Sequence, residues 1–277
     1  MRTVLITGAS MGLGEATTKA LAGRGWRVFA TMRNLDKRAA LERWSQETGL
    51  RERIEFEQLD VSDAQSIRNA VAAILARSEN RLDAVVHNAA IAVGGAFEDV
   101  PAADNRAVME TNFFGVLELT RQCLPIFRAQ RRGRIVIVTS FMAFSGQPAN
   151  SIYCASKWAL EGWADSLAYE LEPLGIQVIL VEPGLYRTQI WGGSPRVNPA
   201  NSPYRAWTER VFEAVDTQLA KAFRDPQEVA NVIARALEAP RPRFRYPVGP
   251  VSRLICFLHG KLPARVLQRG NAWYLGI

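Results

Sequence analysis

Six short runs of the chain are apolar with no alternation: Val4-Leu5-Ile6, Arg27 to Thr31, Arg53 to Leu59, Leu82 to Val86, Arg134 to Thr139 and Gln177 to Val181. A strand with apolar side chains on both faces cannot present either face to water, so it belongs in a parallel sheet covered by helices. Between the runs lie segments with helical spacing, for example Ile67, Val71 and Ile74, or Leu160, Ala164, Leu167 and Leu171. Alternating β and α units joined by right-handed crossovers predict an α/β fold, a doubly wound parallel sheet with helices on both faces.

The 277 residues fit one large domain around one sheet. Apolar residues at 48% and charged residues at 22% allow a full core without disulfides or metals. Cys123, Cys154 and Cys256 are odd in number and widely spaced, and no signal peptide precedes the run from Arg2 to Thr7, so a reducing, cytoplasmic setting is expected. The longest charge-free stretch, Ile135 to Ser156, carries too many polar residues to span a membrane. The net charge of +7 raises nucleic acid, a membrane surface or a phosphorylated ligand as partners. The basic residues are scattered, the dense cluster Arg128 to Arg134 reads as the solvated end of a helix, and no nucleic-acid-reading motif accompanies them. Two segments depart from the β-α rhythm. Residues 185–225 hold prolines, turn signals and many Trp and Tyr, and read as a substrate lid. Residues 240–277 form a tail that opens on one more edge strand, Arg241 to Pro247.

After the first strand comes Thr7-Gly8-Ala9-Ser10-Met11-Gly12-Leu13-Gly14, then a helical run from Glu15. Glycines at such a strand-to-helix turn let backbone approach a pyrophosphate at the positive end of a helix. The spacing Gly-x-x-x-Gly-x-Gly resembles that of the short-chain dehydrogenase/reductase family, a single-domain Rossmann-type fold. The resemblance runs from Arg2 to about Ala239 and implies cofactor contacts at Gly8, Ser10, Met11, Gly12, Leu13 and Gly14. It implies further contacts at Asp60 and Val61 after the third strand, Asn88 and Ala89 after the fourth, and Pro183, Gly184 and Thr188 after the sixth. At the end of the second strand an acid would hold the ribose of NAD, whereas an arginine would accept the extra phosphate of NADP. That strand runs into Arg33, with Lys37 and Arg38 near, while Asp36 falls in the first turn of the next helix, so NADP(H) is favoured over NAD(H).

Tyr153-Cys154-Ala155-Ser156-Lys157 places a tyrosine and a lysine at i and i+4 on one helical face. A phenol with an ordinary pKa of about 10 is a poor base at neutral pH, and a cation about 5 to 6 Å away lowers it by about two units. Ser140 stands upstream, as does Asn112 within Thr111-Asn112-Phe113-Phe114-Gly115. The family resemblance implies Tyr153 as general acid and base, Ser140 as the hydroxyl on the carbonyl oxygen, and Lys157 tuning the tyrosine and holding the nicotinamide ribose. It implies Asn112 as anchor of a water that links Lys157 to solvent. In place of the family's usual Asn-Asn-Ala-Gly stands His87-Asn88-Ala89-Ala90, with the methyl of Ala90 where backbone nears the cofactor. His87 reads as a packed strand residue, and with His259 the only other histidine no metal site is expected.

The stretches Val28 to Arg33 and Tyr153 to Gly162 are similar to the branch holding 17β-hydroxysteroid and retinol dehydrogenases. This implies a lipophilic ketone or alcohol, in a pocket lined by Phe141, Met142, Trp191, Tyr204, Trp207 and Phe212, with Ser140 at the reacting carbonyl. Two rivals stay open: a reductase of small or carrier-linked ketoacyl groups, which a basic patch at the pocket mouth would favour, and a non-catalytic NADP(H)-binding sensor. The helices carrying Asn112 to Arg128 and Tyr153 to Leu171 show a second apolar face, with Phe127 and Trp158, and predict a homodimer or homotetramer. In the tail, Leu254 to Leu258, Leu262, Val266 and Leu267 interleave with Arg253, Lys261, Arg265 and Arg269. It is expected to fold back over the lid in preference to lying on a membrane, since Gly260 and Pro263 interrupt a continuous helix.

Overall fold

The computed structural model describes residues 1–186, 188, 190, 193–222 and 224–275. Among them, β1 (Thr3–Ile6), β2 (Arg27–Met32), β3 (Ile54–Gln58), β4 (Ala84–His87), β5 (Gly133–Val138), β6 (Ile176–Pro183) and β7 (Arg245–Val248) pair in parallel in the order β3-β2-β1-β4-β5-β6-β7. The helices are α1 (Gly12–Gly23), α2 (Ala39–Glu47), α3 (Ala64–Arg77), α4 (Ala102–Met109), α5 (Gly115–Gln130), α6 (Ser151–Leu171), α7 (Arg205–Ala222), α8 (Gln227–Glu238), α9 (Pro250–Leu258) and α10 (Ala264–Leu275).

The non-alternating strands have the two buried faces their sequence requires. Val4, Ile6, Val28, Ala30, Val86, Val136 and Ile179 meet α1, α2 and α8, where Leu21, Leu41 and Ile233 are fully covered. The intervening residues Leu5, Phe29, Val85, Ile135 and Leu180 meet α3, α5 and α6 on the other side. β3 departs from this expectation. It is an edge strand, so only Ile54 is fully buried, and Glu55 and Glu57 turn out to pair with Arg27 and Arg77. Phe127 also departs from expectation. It is wholly buried against Gly133 rather than on an outer face, whereas Trp158 is half exposed.

The strand order reverses between β1 and β4, and the carboxyl ends of these two strands open a crevice. α4 and α5 are joined by a π turn, Glu110–Phe114, which carries Asn112. Residues 195–197 are laced to the segment after β4, Gly94 N donating to the Pro195 carbonyl at 2.9 Å and Val197 N to the Gly94 carbonyl at 2.8 Å. Arg241 to Gly249 supplies β7, at the β6 edge. α9 and α10 then fold back: Ser252 Oγ donates to the Glu182 carbonyl at 2.6 Å, and Asn271 Nδ2 to Ser145 Oγ at 2.7 Å. The break between them holds Gly260 in the left-handed region and Pro263. Among the described residues no helix is long and apolar enough to cross a membrane.

Candidate active site

A cleft of about 660 Å³ opens at the crevice between β1 and β4. Of the residues expected at a cofactor, Gly8, Ser10, Met11, Gly12, Leu13, Arg33, Asp60, Val61, Asn88, Ala89 and Thr188 line it. The turn that shapes it depends on two glycines. Gly8 has φ +66°, and a Cβ on Gly14 would stand 2.2 Å from the Gly8 carbonyl oxygen, so α1 can begin this close to β1 only with glycine there. Thr7 supplies the cross-tie, its Oγ1 accepting from Asn88 N and Ala89 N at 3.0 Å each. Asn88 Nδ2 donates back to the Thr7 carbonyl at 2.9 Å. Thr7 was not expected in the site, although a hydroxyl between the strand and the first glycine was visible in the sequence.

The cleft fits a dinucleotide. α1 starts at Gly12 with no side-chain cap, so its first backbone N–H groups are left for an anion at the helix's positive end. Arg33, Asn34 and Lys37 line the same cleft. Asp36 stays in the 3₁₀ turn Leu35–Arg38, where its backbone N–H donates to Asn34 Oδ1 at 2.8 Å. Ala90, Ile91, Ala92 and Thr111 add to the wall, as do Met32, Leu59, Ile190 and residues 193–195. Pro183 and Gly184 do not line it: Pro183 ends β6, and Gly184 N donates to the Val248 carbonyl of β7 at 2.9 Å. Gly14 likewise sits behind the wall, against Gly8, and Tyr153 and Lys157, also expected at the cofactor, do not line it.

Asn112, Ser140, Tyr153 and Lys157 come together from three elements, all buried. Ser140 follows β5 and caps a 3₁₀ turn, its Oγ accepting from Met142 N at 3.2 Å. Tyr153 and Lys157 share the inner face of α6, the ammonium 5.7 Å from the phenol ring centre. Lys157 Nζ donates to the Val138 carbonyl at 2.9 Å. Asn112 clamps the cleft wall to α6. Its Oδ1 accepts from Ile91 N at 2.8 Å, and its Nδ2 donates to the Ile91 carbonyl at 2.9 Å and to Ser156 Oγ at 3.1 Å. Ser156 in turn donates to the Tyr153 carbonyl at 2.7 Å.

Burial pushes the Tyr153 phenol above its ordinary value, opposed by a hydrogen bond with Ser140, so the lowering expected from the lysine one turn away is outweighed by desolvation. Burial pulls the Lys157 ammonium down to about 8, opposed by the charge of Glu161 one turn further along α6. Glu161, which the sequence reading passed over, accepts from Thr139 Oγ1 at 2.6 Å and pairs with Arg245 of β7. Glu182 lies 3.9 Å from the same arginine, and burial together with the charge of Glu161 pushes it up to about 8. His87 is a packed strand residue, its Nε2 2.9 Å from Thr120 Oγ1, and burial lowers it to about 3.

The family model for short chain dehydrogenase matches residues 2–196. The chain belongs to the short-chain dehydrogenase/reductase family. Its relatives include the uncharacterized oxidoreductase YusZ of Bacillus subtilis, 36% identical over 94% of this chain and 93% of that protein. Retinol dehydrogenase 8 of Bos taurus is 33% identical over 88% and 80%, and 17-beta-hydroxysteroid dehydrogenase type 1 of Mus musculus 31% over 88% and 72%. A short-chain dehydrogenase structure from Streptomyces avermitilis superposes with a TM-score of 0.82 at 31% identity, covering 98% of this chain and 95% of the other. This short-chain dehydrogenase is thus an NAD(P)-dependent oxidoreductase with relatives in the hydroxysteroid and retinol branch.

Beyond Ser140, where Phe141 and Met142 follow it, lies a second, apolar pocket of about 70 Å³. Phe141 and Met142 line it as expected, but its remaining apolar wall is Leu185, Val215, Leu219 and Val251. The expected lid aromatics do other work. Tyr204 donates to Glu98 at 2.8 Å on the surface, and Phe212 packs on Gly94 beneath the Arg196 guanidinium. Trp207 does not line the pocket, and Trp191 lies outside the described residues.

Proposed function

We propose that the protein interconverts a lipophilic ketone and its alcohol with NADP(H), using Asn112, Ser140, Tyr153 and Lys157. The observation that carries this reading is that those four side chains are buried together, with Asn112 bonded to Ile91 of the dinucleotide-shaped cleft and Ser140 next in the chain to Phe141 and Met142 of the apolar pocket. When bound, the dinucleotide would supply or accept the hydride. Gly12, Leu13 and Thr188 would hold its phosphates, with Arg33 and Lys37 at the 2′-phosphate. Ser140 and Tyr153 would both donate to the substrate oxygen, and burial keeps the phenol protonated, the form a general acid needs for reduction. Lys157, held by the Val138 carbonyl, places its positive charge near the phenol and stabilises the phenolate left after proton transfer. Asn112 fixes Ile91 on the cleft side and α6 on the other, so the proton donor and the cofactor wall keep one geometry. The apolar pocket and the similarity to retinol dehydrogenase 8 support a lipophilic substrate. The test is NADPH oxidation against ketones of increasing apolar size, for the parent and for Tyr153→Phe. Efficiency is expected to rise with apolar size, and the variant to lose at least about a hundred-fold while still binding NADPH. Turnover in the variant within ten-fold of the parent would remove Tyr153 from its assigned role.

A further inference from the structure

Seven of the chain's 34 basic residues fall after Glu238, and no acidic residue does. The 27 acidic residues therefore cancel the 27 basic residues that precede the tail, and the whole net charge of +7 belongs to residues 239–277. Arg245 is spent inward on Glu161, but Arg253, Lys261, Arg265 and Arg269 are exposed. The same segment exposes Leu254, Phe257, Leu262, Val266 and Trp273, the last at 84%.

Folding back sorts these side chains. On α9, Ser252 is buried and Val251, Ile255 and Cys256 are partly covered by the body, while Arg253, Leu254 and Phe257 face out. On α10, Val266, Arg269 and Trp273 follow one another at three- and four-residue steps along the exposed side, and Asn271 is tied to Ser145. Val251 and Asn271, on the covered side, also line the apolar pocket, so the two helices border it with their outward face turned to solvent. Docking of the tail and an exposed basic, apolar face are thus two sides of one pair of helices.

We propose that this face is a docking surface for an anionic lipid bilayer, holding the pocket rim against the membrane. Cations alone would serve any acidic partner. Here they alternate with leucine, phenylalanine, valine and tryptophan, and Lys261 Nζ sits 3.3 Å from the Phe257 ring centre. A face of this kind partitions into the headgroup boundary, with apolar side chains below and cations at the lipid phosphates. An acidic carrier protein would meet the charge but would leave the apolar side chains without a use. Entry of a membrane-dissolved substrate at the rim rests on the function proposed above; the lipid binding does not.

The test is sedimentation of the full chain with phosphatidylcholine vesicles and with vesicles that also contain phosphatidylglycerol, at physiological salt. Two variants accompany it: the neutralised Arg253→Gln, Lys261→Gln, Arg265→Gln, Arg269→Gln, and the depleted Leu254→Ser, Phe257→Ser, Trp273→Ser. Binding is expected with the anionic vesicles and not the neutral ones. Each cation is worth about five-fold in partitioning, so the neutralised variant should fall by at least a hundred-fold. The depleted variant should fall by at least ten-fold, and both should keep parent turnover on a short, water-soluble ketone. Binding that ignores lipid charge, or that survives apolar depletion, overturns the proposal. So does a tail-dependent dimer in the absence of lipid, or a loss of turnover on a carrier-linked ketoacyl substrate alone. Because vesicle binding needs no substrate, an inactive parent would refute the proposed reaction and leave this result standing.

Discussion

Arg33 stands at the end of β2 on the cleft wall with Lys37 beside it, and the acid that would otherwise meet a ribose, Asp36, is turned into the 3₁₀ turn that follows. Arg33→Asp replaces attraction with repulsion at a 2′-phosphate, and is expected to cost NADPH efficiency roughly 2 to 3 kcal/mol while sparing NADH. An unchanged ratio of the two efficiencies would make Arg33 a plain surface cation. Lys157 carries the opposite kind of cost. Its folded value of about 8 lies below the ordinary 10.5, so between those values the folded chain binds fewer protons than the unfolded one. Stability gained by this group therefore rises with pH through that window, and at pH 7 the buried charge costs about 3 kcal/mol. Allowing for the lost bond to Val138, Lys157→Met is expected to abolish turnover yet stabilise the apoprotein by roughly 2 kcal/mol at pH 7. Denaturant melts at pH 7 and pH 10 check this: the advantage should shrink at the higher pH, and a destabilised variant at pH 7 would refute it. At this scale the sequence was most informative about position, because a tyrosine and lysine one turn apart fall on one helical face and glycines at a strand end mark a tight turn, while their roles came from the family resemblance. It was silent on Glu161 and Glu182, whose states depend on sharing Arg245 from a strand far along the chain.

The strands and their helices were legible for the same reason of periodicity, and the exceptions have one cause each. β3 sits at an edge, so its outer face meets water and takes glutamates. On sequence Phe127 belongs to a second apolar face expected to meet another subunit, but the turn at Arg131 brings Gly133 beneath its ring. The lid's aromatics suggested a pocket, yet α7 presents Val215 and Leu219 to it, a choice of helix face that composition does not reveal. The π turn at Glu110–Phe114 has no composition signal either, and it is what carries Asn112 inward between Ile91 and Ser156. Asn112→Ala would leave the Ile91 backbone groups and the Ser156 hydroxyl short of partners in a buried site. It is expected to destabilise the protein by about 2 to 3 kcal/mol and to weaken NADPH binding, because Ile91 lines the cleft. Chemical denaturation and a cofactor titration measure the two effects, and a variant unchanged in both would mean the clamp is dispensable.

Across the whole molecule, α6 leaves Trp158 and Tyr169 exposed eleven residues apart, three helical turns along one outward stripe. A second copy packed on this stripe is expected to give a symmetric dimer or tetramer in sedimentation velocity at micromolar concentration, and Tyr169→Glu to shift it towards monomer. A monomeric parent would contradict that expectation. The tail's charge also belongs to this scale: judged by density the basic residues are scattered, and it is the absence of acids after Glu238 that sets the segment apart. The cleft wall is drawn from residues between Gly8 and Pro195, whereas α7, α9 and α10, all later in the chain, supply Val215, Leu219, Val251 and Asn271 to the apolar pocket. Inheritance can therefore act on these later residues of the pocket apart from the cleft, although Phe141, Met142 and Leu185 of the pocket lie within the earlier span. After gene duplication, changes in the last third of the chain can retune which molecule is accepted without touching dinucleotide recognition, so descendants of one ancestor can diverge in diet while keeping a common fuel.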